Sequence, residues 1–340
     1  MHIRSRLWPA ALLFTTPFFA ACSGEPAAAG VSVLTPPLGL ESVQLTTSAD
    51  NPLTEAKAAL GKQLFFDARL SGSGKMSCSS CHLPELAFTD SKRFSTKDDG
   101  KDNGRNSPTM YNVGYLENLY WDGRAKGLEA NVLAAWKAQI GGVPGDAAKR
   151  LLENDTYKKA FAEAFGAEPS ETTVVHALAS FLRTLRSGDS AFDRAAAGDA
   201  KALTEDAKKG QELFLGKAGC VTCHMPPLFT DRLYHNVGIG MGAEQPDVGA
   251  AKPTGDATKT GAFKTPTLRD VAKTAPYFHD GSVATLREAV VLMASGGIAN
   301  AHKDPLALDR KLNDAEIDQL VAFLESLTGN QKFVAPSIPK

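Results

Sequence analysis

The sequence predicts a mainly α-helical protein in which one structural unit is used twice. Three observations carry this. Apolar residues recur at helical spacing in several segments. Alternating strand patterns are few, and long Gly/Pro loops join the helices. Three matched segments also appear twice in the same order. Gly61-Lys62-Gln63-Leu64-Phe65-Phe66 returns as Gly210-Gln211-Glu212-Leu213-Phe214-Leu215, and His82 to Asp90 returns as His224 to Asp231. Asn106-Ser107-Pro108-Thr109-Met110 aligns with Lys264-Thr265-Pro266-Thr267-Leu268, and the register runs on without a gap from Tyr120-Trp121-Asp122-Gly123 to Phe278-His279-Asp280-Gly281.

Taken in order, Arg4 and Arg6 precede an apolar stretch, Leu7 to Ala20, too short to span a bilayer and interrupted by Pro9 and Pro17. Residues 1–21 are expected to be an export signal peptide. They lead into Cys22 through Phe19-Ala20-Ala21, which resembles a lipoprotein signal with Cys22 acylated as a membrane tether. Ordinary cleavage, leaving Cys22 a spare thiol, is the alternative. Residues 22–50 read as a tether or N-terminal extension that opens with the small residues Ser23 to Gly30. Thr54 is placed to cap a helix from Glu55 to Phe66, and Thr204 one from Glu205 to Leu215. Val174, Leu178, Phe181, Leu182 and Leu185 mark a helix from Glu171 to Leu185. A further helix is expected to begin at His279-Asp280-Gly281 and to carry Leu286 to Met293. The last runs from Asp314 to Leu327. The stretch Ser187 to Asp199 is expected to separate two domains, 51–195 and 196–335.

The 340 residues are enough for about two domains. Hydrophobic residues at 43% allow a full core, and 37 Lys+Arg against 38 Asp+Glu give a net charge of −1, so no basic surface points to nucleic acid. Four of the five cysteines fall in Cys78-Ser79-Ser80-Cys81-His82 and Cys220-Val221-Thr222-Cys223-His224. This C-x-x-C-H spacing is that of c-type haem attachment: two thiols three residues apart add to both vinyl groups, and the adjacent histidine, His82 or His224, reaches the iron. A zinc site would need four converging ligands, and a redox dithiol a βαβ context. Met293 lies 14 residues after His279, and a thioether there would give His/Met ligation. The duplication puts Ala135 at the equivalent place in the first half. Alanine cannot ligate iron, so one haem is expected to be six-coordinate and the other open. Core packing at helical spacing is the plain alternative for Met293.

The paired C-x-x-C-H motifs, Asn106-Ser107-Pro108-Thr109 with Tyr120-Trp121-Asp122-Gly123-Arg124, and the segment Thr265 to Ser282 resemble the bacterial dihaem cytochrome c peroxidases and the related methylamine dehydrogenase maturation enzyme. The resemblance covers roughly residues 51–330. It implies two tandem cytochrome c-like domains, each binding one covalent haem: a peroxidatic domain at 51–195 and an electron-transfer domain at 196–335. By the same resemblance Met293 is an axial ligand and Trp121 an electron relay between the haems. Asn106, with the backbone carbonyls of Thr274 and Pro276, matches a calcium site, and Asp122, Gly123 and Arg124 form a turn near a haem carboxylate. The implied activity is reduction of hydrogen peroxide to water with electrons from a small cytochrome c or cupredoxin, in the periplasm, by a protein commonly dimeric. The maturation enzyme has tyrosine at the position of Met293.

The chain departs from the family's pattern twice. Between His82 and His176 there is no histidine to cap the first iron. The family's distal glutamine and glutamate positions hold Asn131 and Gly141. Heterolysis of an O–O bond needs a proton moved between oxygens, so Gln139, Glu129, Lys137 and Asp146 are the candidates for the distal role, with Gln139 favoured. A surface position on a helix is the plain alternative for each. His235 is expected to contact the second haem's edge, while His176 and His302 read as structural. Two other functions remain open: an oxidase acting on a partner protein's side chain, and a dihaem electron carrier or sensor.

Overall fold

The computed structural model describes residues 32–340; the candidate export signal, Cys22 and the start of the tether lie outside the described residues. The first half contains α1 (Glu55–Phe66), α2 (Leu128–Ala138), α3 (Pro144–Leu152), α4 (Asp155–Phe165) and α5 (Glu171–Thr184). A connecting helix, α6 (Ala191–Ala196), leads to α7 (Glu205–Leu215), the short α8 (Ala251–Thr254), α9 (Leu286–Ala294) and α10 (Asp314–Glu325). Among the described residues strands are confined to two-residue ribbons, β1 (Asn118–Leu119) with β2 (Ala125–Lys126) and β3 (Tyr234–His235) with β4 (Phe263–Lys264). The Thr54 and Thr204 hydroxyls accept from the Lys57 and Ala207 amides, the caps expected from sequence.

One expected boundary is corrected. The helix expected to start at His279 starts only at Leu286, where Thr285 and Glu288 close a capping box. Phe278 and Gly281 both sit in the left-handed region (φ 69° and 59°), which turns the chain and precludes a helix there.

Each half is organised on one helix pair, α1 on α5 and α7 on α10. Both crossings place a glycine against backbone: a Cβ on Gly61 would collide with Ala177 O, and one on Gly210 with Gln319 O. Backbone cannot rotate away as a side chain can. Gly61→Ala and Gly210→Ala are each expected to cost about 1–3 kcal/mol by overpacking, read as a lower urea midpoint. Gly145→Ala, where a Cβ meets nothing within 4 Å, is the control.

The first core gathers Leu64, Phe65, Trp136, Phe161 and Leu178, and the second Phe214, Phe229, Leu320 and Phe323. Residues 33–50, within the expected extension, pack onto this body. Leu40 is fully buried with Tyr115 and Leu228, and Thr46 N donates to Gly114 O (2.8 Å). The halves meet through reciprocal backbone bonds, Asn106 N to His279 O and Lys264 N to Trp121 O, each 2.8 Å. The connecting helix is fixed by a buried ion pair: the Arg269 guanidinium grips both Asp193 carboxylate oxygens at 2.8 Å, and the Ser190 N–H and hydroxyl also donate to that carboxylate.

Candidate functional site

Each C-x-x-C-H motif opens with a single 3-10 turn, Cys78–Ser80 and Cys220–Thr222, which brings both thiols and the following imidazole to one wall of a cavity. The first cavity is lined by Cys78, Cys81 and His82, the second by Cys220, Cys223 and His224. His82 Nδ1 donates to Phe88 O (2.7 Å) and His224 Nδ1 to Phe229 O (2.9 Å). Burial lowers both imidazole pKa values against the opposing effect of these carbonyls. Each ring is thus neutral and oriented, with Nε2 left as the ligating atom.

The thiols match attachment better than the alternatives. Burial pushes Cys78 up to about 12 and Cys220 up to about 11, whereas a redox dithiol needs a thiolate in an electropositive setting. The ligand atoms of Cys223, Asp231 and His235 lie within 4.8 Å of one another. That cluster leaves Cys220 out and has no counterpart beside Cys81 among the described residues, so the repeated motif does not build a four-ligand zinc site. Four unpaired thiols, two per mainly apolar cavity and each pair beside a neutral oriented imidazole, fit covalent haem.

Met293 lines the second cavity and is 39% exposed, which removes core packing as the reason for a methionine there. Ala135 lines the first cavity. It shares one face of α2 and its C-terminal extension with Asn131, Val132, Trp136, Gln139 and Ile140, all at cavity-facing helical spacing. Of the four candidates for the distal role only Gln139 reaches this cavity. Glu129 is held by Arg183 (2.6 and 3.0 Å) and Asn51 (2.8 Å), Lys137 pairs with Glu171 (2.9 Å), and Asp146 is exposed beside Lys149. Among the described residues no carboxylate lines the first cavity; Asn103, Asn131, Gln139, Ser and Thr hydroxyls, Lys97 and His82 supply its polarity.

Trp121 lines the second cavity, and its Nε1 donates to Asn106 O (2.9 Å). Asn106, Thr274 and Pro276 also line this cavity, and the Asn106 amide nitrogen donates to Lys92 O (2.8 Å). Ser107 lines both cavities. Asp122 is buried and bridges Arg105 (2.8 Å) and Arg124 (2.9 Å). His235 lines the second cavity between Asp304 (2.6 Å) and Asp231 (2.9 Å). The Cys223 sulfur raises it to about 10, with Asp304 and Asp231 acting in the same direction against burial. His176 faces Asp50, and His302 lies in an exposed loop. Lys264 also lines the second cavity, its side-chain ammonium without a hydrogen-bond or ion-pair partner among the described residues; burial, then the Arg232 charge, lower that ammonium to about 8. Sequence reasoning passed over Lys264. Its only signal was its register, Asn106 in the first half standing where Lys264 stands in the second.

A family model described as di-haem cytochrome c peroxidase matches residues 55–201, and a cytochrome c model matches residues 207–328. The chain is 37% identical to a cytochrome-c peroxidase, IdrP1, of Denitromonas iodatirespirans, over 94% of each chain. It is 39% identical to the methylamine utilization protein MauG of Methylophilus methylotrophus, over 85% of this chain and 88% of that one. A crystal structure of a MauG-like protein associated with microbial copper homeostasis superposes with a TM-score of 0.79 at 33% identity, covering 89% of this chain and 96% of the other. No helix among the described residues is long and apolar enough to cross a membrane.

Proposed function

Because the chain belongs to the di-haem cytochrome c peroxidase family, we propose that it reduces hydrogen peroxide to water, H2O2 + 2 e⁻ + 2 H⁺ → 2 H2O, with electrons from a small periplasmic cytochrome c or cupredoxin. The observation that carries this reading is the pairing of Met293 in the second cavity with Ala135 in the first. One site would be closed by a thioether and suited to holding an electron, the other open to peroxide. This division suits a two-electron reaction fed by one-electron donors.

In this proposal Cys78 and Cys81 hold one haem with His82 as ligand, and Cys220 and Cys223 the other with His224 and Met293. When bound, the haems supply O–O cleavage at the first cavity and one-electron storage at the second. The protein's part is orientation and charge. Phe88 O and Phe229 O fix the two imidazoles. Lys264 and Arg310 bring positive charge to the second cavity, where haem carboxylates would need it. Gln139 and Asn131 can hydrogen-bond a peroxide in the first cavity, although a neutral amide carries no proton. Trp121 stands at the junction of the halves, where it would relay electrons. Asn106 with the Thr274 and Pro276 carbonyls would bind calcium through neutral oxygens. Export by residues 1–21 and a lipid tether at Cys22 complete the reading, with a homodimer as the assembly.

The test is stopped-flow mixing of the fully oxidised protein with stoichiometric peroxide. Rapid loss of the high-spin ferric signal is expected without prior reduction, and loss of that reactivity to background in His82→Gly. A low-spin spectrum indifferent to peroxide, both oxidised and half-reduced, would favour an electron carrier. The 39% identity to a MauG supports a second reading in which oxidising equivalents leave toward a partner protein. Slow peroxide turnover with a good donor, beside a fast first peroxide reaction, would favour that reading.

A further inference from the structure

The carbonyls that orient the two imidazoles belong to phenylalanines, and each phenylalanine is braced by an aromatic ring from the other half of the chain. In the first half Phe88 meets Phe333 edge-on, ring centroids 5.2 Å apart. Phe333 lies in the tail that follows α10, in the second half. It also stacks on Phe66 (5.7 Å), contacts Phe181 of α5 (6.1 Å) and lies under the Lys62 ammonium (4.7 Å). In the second half Phe229 meets Phe192 edge-on, again at 5.2 Å. Phe192 lies in α6, which follows α5 of the first half, and it contacts Phe323 of α10 at 5.9 Å. Each half thus sends the segment after its last long helix across to the other and seats a phenylalanine in the equivalent place.

The crossing segments are anchored on both sides. Asp193, next to Phe192, is gripped by Arg269 at 2.8 Å. The tail is held by Gln331 Nε2 to Gly188 O (2.7 Å), by Asn154 Nδ2 to Lys340 O (2.5 Å), and by the Arg69 guanidinium to Pro339 O. Phe88 and Phe229 both adopt left-handed backbone (φ 59° and 54°), a conformation costly for an aromatic residue and retained only where surrounding packing imposes it.

We propose that Phe333 and Phe192 are positioning residues exchanged between the halves. Phe333 holds the Phe88 carbonyl on His82, and Phe192 holds the Phe229 carbonyl on His224. The proximal geometry of each site then depends on a side chain encoded in the opposite half. This rests on the assignment of His82 and His224 as iron ligands.

An N–H···O=C bond from a ligating imidazole raises its basicity and favours the ferric state. Loosening it shifts the potential upward. The experiment is a spectroelectrochemical titration of the holoprotein as wild type, Phe333→Ala and Phe192→Ala. The haems are assigned beforehand with His82→Gly and Met293→Ala. Phe333→Ala is expected to raise the potential of the haem at His82 and leave the other in place; Phe192→Ala is expected to do the reverse. Equal shifts of both haems, no shift, or a shift confined to the variant's own half would overturn the proposal. General destabilisation lowers Tm but does not sort the two potentials this way. If an alanine variant does not fold, Phe333→Leu and Phe192→Leu serve instead, with smaller shifts of the same pattern. The ligand assignment fails separately, if His82→Gly leaves both haem spectra unchanged.

Discussion

Met293→Ala is expected to open the second cavity at the position where Ala135 leaves the first open. Ala135 lines the first cavity and Met293 the second, so this one substitution removes the thioether that distinguishes them. Carbon monoxide binding by the fully reduced protein is expected to rise from one to two per chain. The low-spin component of the ferric spectrum is expected to disappear. Loss of a methionine ligand lowers the haem's potential, which weakens it as an electron acceptor from the donor. Steady-state peroxide reduction is expected to fall by about 10–100-fold, the range for perturbed metal sites, while a single peroxide reaction at the first cavity persists. A stoichiometry that stays at one carbon monoxide per chain would show that Met293 does not ligate.

Asp193→Ala is expected to have the largest effect on stability. Arg269 is fully buried, and Asp193 is 3% exposed. The guanidinium also donates to Pro227 O (2.7 Å) and lies over the Phe229 ring (5.7 Å). Removing the carboxylate leaves a buried cation without its counter-charge, at a cost of about 3–5 kcal/mol, measurable in denaturant as a shifted midpoint at unchanged slope. Burial alone would raise the Asp193 carboxyl, but Arg269 and then Ser190 outweigh it and hold the group below the usual carboxylate range. With the folded pKa depressed, this stability is present above the unfolded value of about 4 and is lost as pH falls through the lower folded value. The gap between wild type and Asp193→Ala should therefore narrow below about pH 4. A gap independent of pH would assign the loss to packing.

Much of this architecture is legible locally. Thr54 and Thr204 announce their helices because a cap acts within three residues. The cysteine pairs and their histidines announce a cavity wall because the chemistry spans five consecutive positions. The helix misplaced at His279 failed for a local reason too: an aromatic at positive φ leaves no compositional mark, so the turn at Phe278 was invisible. What could not be read were pairings across long separations. Glu129 looked available as a distal acid until its partner Arg183, far along the chain, claimed it. Asp193 and Arg269, or Phe333 and Phe88, carry no periodicity or spacing that links them. Gln139 was favoured from the sequence, but its place on the wall of the first cavity could not be read there, because the face of α2 is set by where that helix packs.

The reciprocal bonds Asn106 N to His279 O and Lys264 N to Trp121 O have an evolutionary consequence. Residue for residue, they are what an isologous two-fold contact between identical subunits would produce. In a symmetric pair of identical chains every substitution appears twice, so a methionine gained at one iron is gained at both. Joining the two copies in one polypeptide removes that constraint while keeping the contact. Each copy is then free to drift alone, and a symmetric assembly of equals can become an ordered couple with a donor end and an acceptor end.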